Sequence, residues 1–196
     1  MIGCSIFATV QKQLQNPETG CFLLSEPYMA DDNFRSTVLF LCEHNENGTF
    51  GFVLNRPLDL TINQAVQDFP DLKTQLFLGG PVQNDTLHFL HCRGDLIQDS
   101  IEVIEGVFWG GDFDQLKVLL DTKQIKEDEV KFFLGYSGWD FGQLEIECDE
   151  KAWIIVEANS DYIFSTEANN MWRAVLKNMG EKFKLLSNLP DDPSLN

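Results

Sequence analysis

The segment Gly135-Tyr-Ser-Gly-Trp139 is the first place where residue type and spacing suggest chemistry, because it sets a serine between two glycines. The nucleophile elbow of hydrolases needs glycine two residues after its serine, since the sharp strand-to-helix turn leaves no room there for a side chain. That position is occupied by Trp139 here. The motif therefore fails on steric grounds. We predict that Ser137 is a turn residue, and we assign no catalytic residue.

Thiol and imidazole side chains are the next candidates, since Cys42, His44, His91 and Cys92 are of the types that bind zinc. Residues two apart on a strand share a face, whereas neighbours do not. Cys42 and His44 can therefore point the same way, but His91 and Cys92 cannot. The chain has no Cys-x-x-Cys or His-Glu-x-x-His spacing. We predict core thiols and hydrogen-bonded imidazoles in place of a metal site.

Two further patterns concern phosphate binding and acid–base chemistry. Gly79-Gly80-Pro81 lacks the spacing of either glycine-rich phosphate loop, and no lysine follows it, so we predict a tight turn and no cofactor. Glu145 and Glu147 would share a face of a strand, and Asp31-Asp32 falls in a predicted loop. Either pair could serve acid–base chemistry in a cleft. With 31 acidic residues in the chain, chance pairs on a solvated face are the default interpretation.

Short apolar segments must position these residues. Runs of β-branched and aromatic residues predict strands, which fall at 21–24, 37–44, 50–54, 76–78, 87–91, 101–109, 130–134 and 152–156. The run 101–109 is interrupted at Gly106, and 37–44 with 50–54 is expected to form a hairpin. Helical spacing predicts helices around Ile6 to Leu14, after the capping box Thr61 to Gln64 as far as about Phe69, after Asp112, and from Met171 to Met179. The segment 141–147 fits a helix or a strand.

Strand signals outnumber helix signals and do not alternate with them regularly. That pattern favours an α+β fold with a largely antiparallel or mixed sheet over a doubly wound parallel sheet. A length of 196 residues fits a single domain spanning 1–196, with a loose tail at 190–196. Sixteen phenylalanines predict a core rich in aromatic rings.

Charge is the sharpest global property of the sequence. The chain has 14 Lys and Arg against 31 Asp and Glu, a net charge of −17. Nucleic-acid affinity comes largely from basic residues that neutralise phosphates, so this balance argues against direct DNA or RNA binding and against anionic membranes. No stretch approaches the ~20 apolar residues of a spanning helix. Five scattered cysteines fit reduced thiols, so we expect a cytoplasmic protein.

Several fragments, in order, make the chain similar to the YqgE/AlgH family of bacterial proteins. The matching pieces are 23–27, Asp32, Phe34, 41–44, 51–57, 78–82, His91, 135–139, 143–145, Trp153 and the helix with Trp172. The resemblance implies an α+β fold whose bent sheet approaches a barrel with helices packed around it, in a bacterial cytoplasm. One branch of that family carries the label of a transcriptional regulator of alginate synthesis. The sequence shows no helix-turn-helix followed by basic residues, so the label would apply only indirectly.

Polar residues embedded in or beside the apolar strands form the candidate site. They are Glu43, His44, Asn55, Arg56, His91, Gln143 and Glu145. Buried polar groups are usually satisfied internally, so these residues either bond one another and stabilise the core or line a pocket. Arg56 is the best binding candidate, since a guanidinium at a strand end can hold a carboxylate or phosphate through two hydrogen bonds.

Three functional hypotheses follow. The first is a non-enzymatic binding or regulatory protein that acts through protein contacts or a small anionic ligand. The second is a hydrolase using His44 or His91, which requires both imidazoles to converge on a carboxylate in an open cleft. The third is the transcriptional regulator, acting indirectly.

Overall fold

The computed structural model describes residues 11–27, 29, 31, 34–165 and 167–188. Within those ranges the chain forms ten β-strands and six α-helices. The strands are β1 (Cys21–Ser25), β2 (Val38–Asn45), β3 (Gly48–Val53), β4 (Pro57–Thr61), β5 (Gln75–Leu78), β6 (Val82–His91), β7 (Ile101–Ile104), β8 (Val107–Trp109), β9 (Val130–Trp139) and β10 (Trp153–Glu157). The helices are α1 (Ile62–Ala65), α2 (Phe113–Asp121), α3 (Gln143–Asp149), α4 (Ser160–Phe164), α5 (Ala168–Asn178) and α6 (Glu181–Leu186).

All ten strands belong to one sheet, in the order β10-β1-β2-β3-β9-β6-β8-β7, with β4 and β5 beside this path. Every pairing is antiparallel except the one between β5 and β9. The described strands include no pairing between β10 and β7, so the sheet is open. This architecture confirms the predicted α+β class with a mostly antiparallel sheet.

Strand β9 lies at the centre of the sheet and contacts three other strands. One side of β9 pairs with β6, and the other side pairs first with β5 and then with β3. Gly135 separates the two halves of β9 and adopts a φ of +66°, a conformation that side-chain-bearing residues rarely adopt. The sequence prediction ended this strand at Leu134. The serine motif in fact continues the strand, so the prediction of Ser137 as a turn residue is wrong.

Gly79 follows β5 and bonds to both β3 and β9, and this junction of three strands is called the seam below. Its N–H donates to Leu134 O at 2.8 Å, and its carbonyl accepts from Val53 N at 2.8 Å and from the Ser137 hydroxyl at 3.2 Å. A Cβ atom on Gly79 would lie 2.2 Å from Gly135 O. The glycine pair 79–80 does connect β5 to β6, as a turn should, but close backbone approach adds a second requirement for glycine.

Phenylalanines dominate the interior, as predicted. Phe22, Phe40, Phe52, Phe132 and Phe133 are each at most 1% exposed. The rings of Phe52 and Phe133 stack with centroids 4.8 Å apart across the sheet interior. Helices α4, α5 and α6 cover one face of the strands, α2 packs over a second group of apolar residues, and α3 covers a third.

Most predicted elements are present, with shifted boundaries. The ambiguous segment at 141–147 is helical, α1 ends at Ala65 and not near Phe69, and β6 starts five residues before the predicted 87. Strand β4 and helices α4 and α6 were not predicted. The predicted helix from Ile6 to Leu14 is described only from residue 11 onward, and that part is not helical, because Gln13 bridges Val156 and Leu14 N donates to Ile155 O at 2.9 Å. The loose tail at 190–196 lies outside the described residues. None of the described helices has the length and apolarity needed to cross a bilayer.

Replacing Gly79 by alanine tests the seam. Gly79→Ala should lower the free energy of unfolding by about 3 kcal/mol, because backbone at Gly135 must move to admit the methyl group. Gly106→Ala is the control: its Cβ meets nothing within 4 Å, so only the positive φ of +73° costs stability, about 1 kcal/mol. Urea denaturation measures both variants. Equal losses would contradict the steric role of Gly79.

Candidate functional site

The predicted site residues separate along strand β2. Asn55 follows β3 and contacts the start of β2, where its carboxamide oxygen accepts from Val38 N at 2.9 Å. Glu43 and His44 lie at the other end of the strand. Five residues at the rise of a strand make the separation roughly 16 Å. The single concave patch expected from the sequence is therefore two sites.

At the far end of β2, His44 links the sheet to α3. Its Nδ1 lies 2.6 Å from the Thr49 hydroxyl, and its Nε2 lies 3.7 Å from Glu145 Oε1. Gln143 begins α3, where its oxygen accepts from Asp140 N at 3.1 Å and its amide nitrogen donates to Glu147 Oε1 at 3.2 Å. The glutamates at 145 and 147 do not share a face, because this segment is a helix and not a strand.

An open cleft of about 550 Å³ lies beside this end of β2. Its inner wall is aromatic: the Phe50 ring lies 4.8 Å from Trp109 and 6.2 Å from Tyr136, at steep interplanar angles. Its rim carries the exposed carboxylates of Glu43 and Asp140. The described lining contains no lysine or arginine. This cleft suits an apolar or cationic group better than an anion.

The cleft also contains His88, which the sequence analysis overlooked. Its Nε2 lies 3.0 Å from the Thr86 hydroxyl, and burial lowers the pKa of this imidazole below its usual range. The alternation of β6 could have drawn attention to it, since residues 86 and 88 share a face of that strand.

His91 is sealed in the core and cannot assist His44. Its Nδ1 accepts from Arg93 N at 3.2 Å, so Nε2 carries the proton, 3.0 Å from both Gly110 O and Ser100 Oγ. Burial lowers the pKa of His91, which keeps the ring neutral. The two imidazoles share none of these partners. The geometry that the hydrolase hypothesis requires is therefore absent.

The thiol and imidazole pairs do not assemble a metal site either. Cys42 continues the core-facing alternation of Val38 and Phe40, and burial raises its pKa well above the usual range. A β-bulge follows, where the register shifts between Leu41 and Glu43. His44 reaches the surface instead. Among the described residues, no group of three or more His, Cys, Asp or Glu side chains is placed to hold a metal ion.

Three arginines line a pocket of about 190 Å³ beside the start of β2, the end that carries Val38. The NH2 group of Arg56 donates to Arg35 O at 2.9 Å and to the Thr37 hydroxyl at 3.3 Å. Asn55 Nδ2 donates to Ser36 O at 2.8 Å, which fixes the same loop. These bonds fix one side of the pocket. The other lining residues are Ala168, Asn169, Trp172 and Arg173.

Helix α5 forms the opposite wall of this arginine pocket. Asn169 and Arg173 are four residues apart and share one helix face. The first turn of α5 places the positive end of the helix dipole at the pocket. Arg35, Arg56 and Arg173 are three of the four arginines in the chain. No carboxylate belongs to the described lining. The arrangement can bind a small anion through charge-assisted hydrogen bonds.

A carboxylate held by two indoles stabilises the region between the cleft and α3. Glu147 Oε2 accepts from Trp139 Nε1 at 3.0 Å and from Trp153 Nε1 at 2.8 Å. The Phe34 ring packs against both indoles, with centroids 6.5 and 5.4 Å away. Sequence reasoning missed this cluster, although a helical interpretation of 141–147 would have placed Gln143 and Glu147 on one face.

An open, mostly antiparallel sheet with helices packed on its faces defines an α+β protein. Residues 22–184 match the model of the AlgH-like family, and the chain belongs to that family. A UPF0301 protein of Chlorobium limicola is 45% identical over 177 residues, which cover 90% of this chain and 95% of that protein. A UPF0301 protein of Cytophaga hutchinsonii is 45% identical over 179 residues, covering 90% and 98%.

Two solved structures share the fold. The solution structure of the AlgH protein from Pseudomonas aeruginosa aligns with a TM-score of 0.69 and 28% identity, covering 97% of this chain and 98% of that one. A crystal structure of a Corynebacterium diphtheriae protein aligns with a TM-score of 0.72 and 20% identity, covering 89% and 93%. The family resemblance inferred from the sequence is thereby confirmed.

Removing the Glu147 carboxylate tests the cluster of two indoles. Glu147→Ala should lower the free energy of unfolding by about 2–4 kcal/mol, because two buried N–H donors lose their acceptor. Glu147→Gln keeps one acceptor oxygen and should lose about half as much. Glu150→Ala, at an exposed position just after α3, is the control and should change stability by less than about 0.5 kcal/mol. Similar losses for Glu147→Ala and Glu150→Ala in urea denaturation would contradict this role.

Proposed function

We propose that the chain is a binding protein whose ligand is a small anion held in the arginine pocket. The observation that carries the proposal is the gathering of Arg35, Arg56 and Arg173 around one 190 Å³ depression, in a chain with a net charge of −17. Each of the three arginines lines this depression, and a guanidinium can hold a carboxylate or phosphate through paired charge-assisted hydrogen bonds. The volume suits an ion of the size of phosphate or a short carboxylic acid.

The bonds that fix one side of the pocket support recognition of a ligand with defined shape. Arg56 and Asn55 are each held by backbone atoms of the loop at 35–38, so little side-chain freedom is lost when a ligand binds. Arg173 approaches from α5, a separate element. An anion would therefore join the loop, the strand end and the helix, which suits a protein that transmits ligand binding to a partner.

Titration calorimetry with inorganic phosphate and, separately, with succinate tests the proposal. We expect one of the two to bind with a Kd near or below about 1 mM, and Arg173→Gln to weaken binding at least about tenfold through loss of a charge-assisted hydrogen bond. Arg93→Gln is the matched control, because this fourth arginine pairs with Asp95 and Glu129 away from the pocket. Absence of binding, or equal loss in both variants, would refute the assignment.

A second candidate function rests on the aromatic cleft, whose acidic rim fits a basic side chain of a protein partner. Cations bind favourably over aromatic faces, and Phe50, Trp109 and Tyr136 meet at steep angles within the cleft. The carboxylates of Glu43 and Asp140 would add direct attraction at the rim. The net negative charge of the chain would attract a basic side chain to this cleft, whereas it would not attract an anion to the arginine pocket.

Binding of a short arginine-containing peptide, measured by calorimetry at two salt concentrations, tests this second candidate. The double variant Glu43→Gln/Asp140→Asn should weaken binding at least about fivefold, and added salt should weaken it further. Glu46→Gln removes an exposed carboxylate from the same hairpin outside the cleft, so it should have little effect. A peptide that binds the double variant as well as the native chain binds elsewhere.

A further inference from the structure

Lys131 is the one buried lysine among the ten in the chain, all of which lie in the described ranges. It stands on β9 with 8% of its surface exposed. Its Nζ donates to Ile163 O at 3.3 Å and lies 4.1 Å from the centroid of the Phe77 ring. In the described part of the chain, no ion pair joins Lys131 to a carboxylate. This is unusual in a protein with 31 acidic residues.

The Lys131 side chain also forms part of the wall of a cavity of about 530 Å³. Phe77 and Phe164 supply apolar surface beside it. The charged groups of the cavity are Glu127 and Asp128, from a short 3-10 turn, and Glu167, just before α5. All three carboxylates are exposed, so they set the charge of the entrance while the amine remains in an apolar interior.

Burial without a counter-ion favours the neutral amine. Transfer of an ammonium from water into an apolar site is costly, and a lysine in that position releases its proton instead. Burial lowers the pKa of Lys131 to about 7. Near neutral pH a large fraction of this side chain is therefore an amine with a free electron pair, whereas an exposed lysine carries its proton. A neutral amine in a cavity is a nucleophile toward carbonyl carbon.

We propose that Lys131 is a covalent attachment site for small neutral aldehydes, which it binds as an imine. The Nζ electron pair forms a bond to the carbonyl carbon, and the carbonyl oxygen leaves as water with the two hydrogens of the amine. No oxidant, reductant or metal is needed, and addition of water reverses the step. The three carboxylates at the entrance repel anionic carbonyl compounds, so neutral aldehydes are the preferred class. The proposal does not rest on the anion proposed for the arginine pocket, although Ala168 and Asn169 line both depressions.

Reductive trapping tests the assignment on the full-length chain. Propanal and cyanoborohydride at pH 7 convert an imine into a stable propylated lysine, which peptide mapping by mass spectrometry locates. Lys131 should be labelled at least about tenfold faster than each of the nine other lysines, because a far larger fraction of it is unprotonated. Its rate should level off above about pH 7, whereas the rates of exposed lysines continue to rise. Uniform labelling, or slower labelling of Lys131, would overturn the proposal.

Two further measurements separate the site from general lysine reactivity. Glyoxylate, an anionic aldehyde, should label Lys131 more slowly relative to exposed lysines than propanal does, since it must pass the three carboxylates. Preference for glyoxylate would refute the neutral-aldehyde class. Lys131→Met should abolish the fast phase, and Lys117→Met, which removes a half-buried lysine on α2, should retain it. If Lys131→Met does not fold, the pH profile of the native chain still decides the question.

Discussion

The close backbone contact between Gly79 and Gly135 is the constraint on which the rest of the structure depends. It lets one strand, β9, pair with β5 and β3 in succession on one side while β6 occupies the other. Both halves of β9 then contribute to cavities: Lys131 faces one, and Tyr136 and Trp139 face the aromatic cleft. A side chain at the seam would separate β3 from β9, and the walls of these cavities would lose their common support.

Polar residues in the strands turned out to serve two purposes that residue type alone does not distinguish. Asn55 and His91 satisfy backbone groups, which is the structural role that buried polar side chains usually have. The second purpose is to line a pocket. Arg56 serves both purposes, since its guanidinium is bonded to the loop at 35–38 and the residue also lines a pocket. Glu43 remains exposed at the rim of the cleft. A polar residue has the second role only if it lies beside a concave surface, and its position relative to such a surface is known only from the tertiary structure.

The strands and the fold class could be predicted because β-branched and aromatic runs mark buried strands directly. The second half of β9 could not, since Gly135, Ser137 and Gly138 have the composition of a turn, and pairing with β3 and, at Tyr136, with β6 makes the segment a strand. Arg56 was identified as a binding candidate, but Arg35 joins it through a loop whose carbonyl accepts from Arg56, and Arg173 joins it through packing of α5. Lys131 gave no signal, because a charged residue near the start of a strand normally faces solvent, and here α4 covers it.

The arginine pocket and the net charge of −17 have different consequences for small and large anions. Repulsion between separated surface charges decays over a Debye length of about 8 Å at physiological salt. A phosphate-sized ion, if bound as proposed, would therefore respond mainly to the groups that line the pocket, which include Arg35, Arg56 and Arg173. A nucleic acid extends over many Debye lengths and would meet the acidic surface on either side of the pocket. The proposed binding of a small anion is therefore compatible with the expectation from net charge that a polyanion is repelled, and any regulatory role is expected to be indirect.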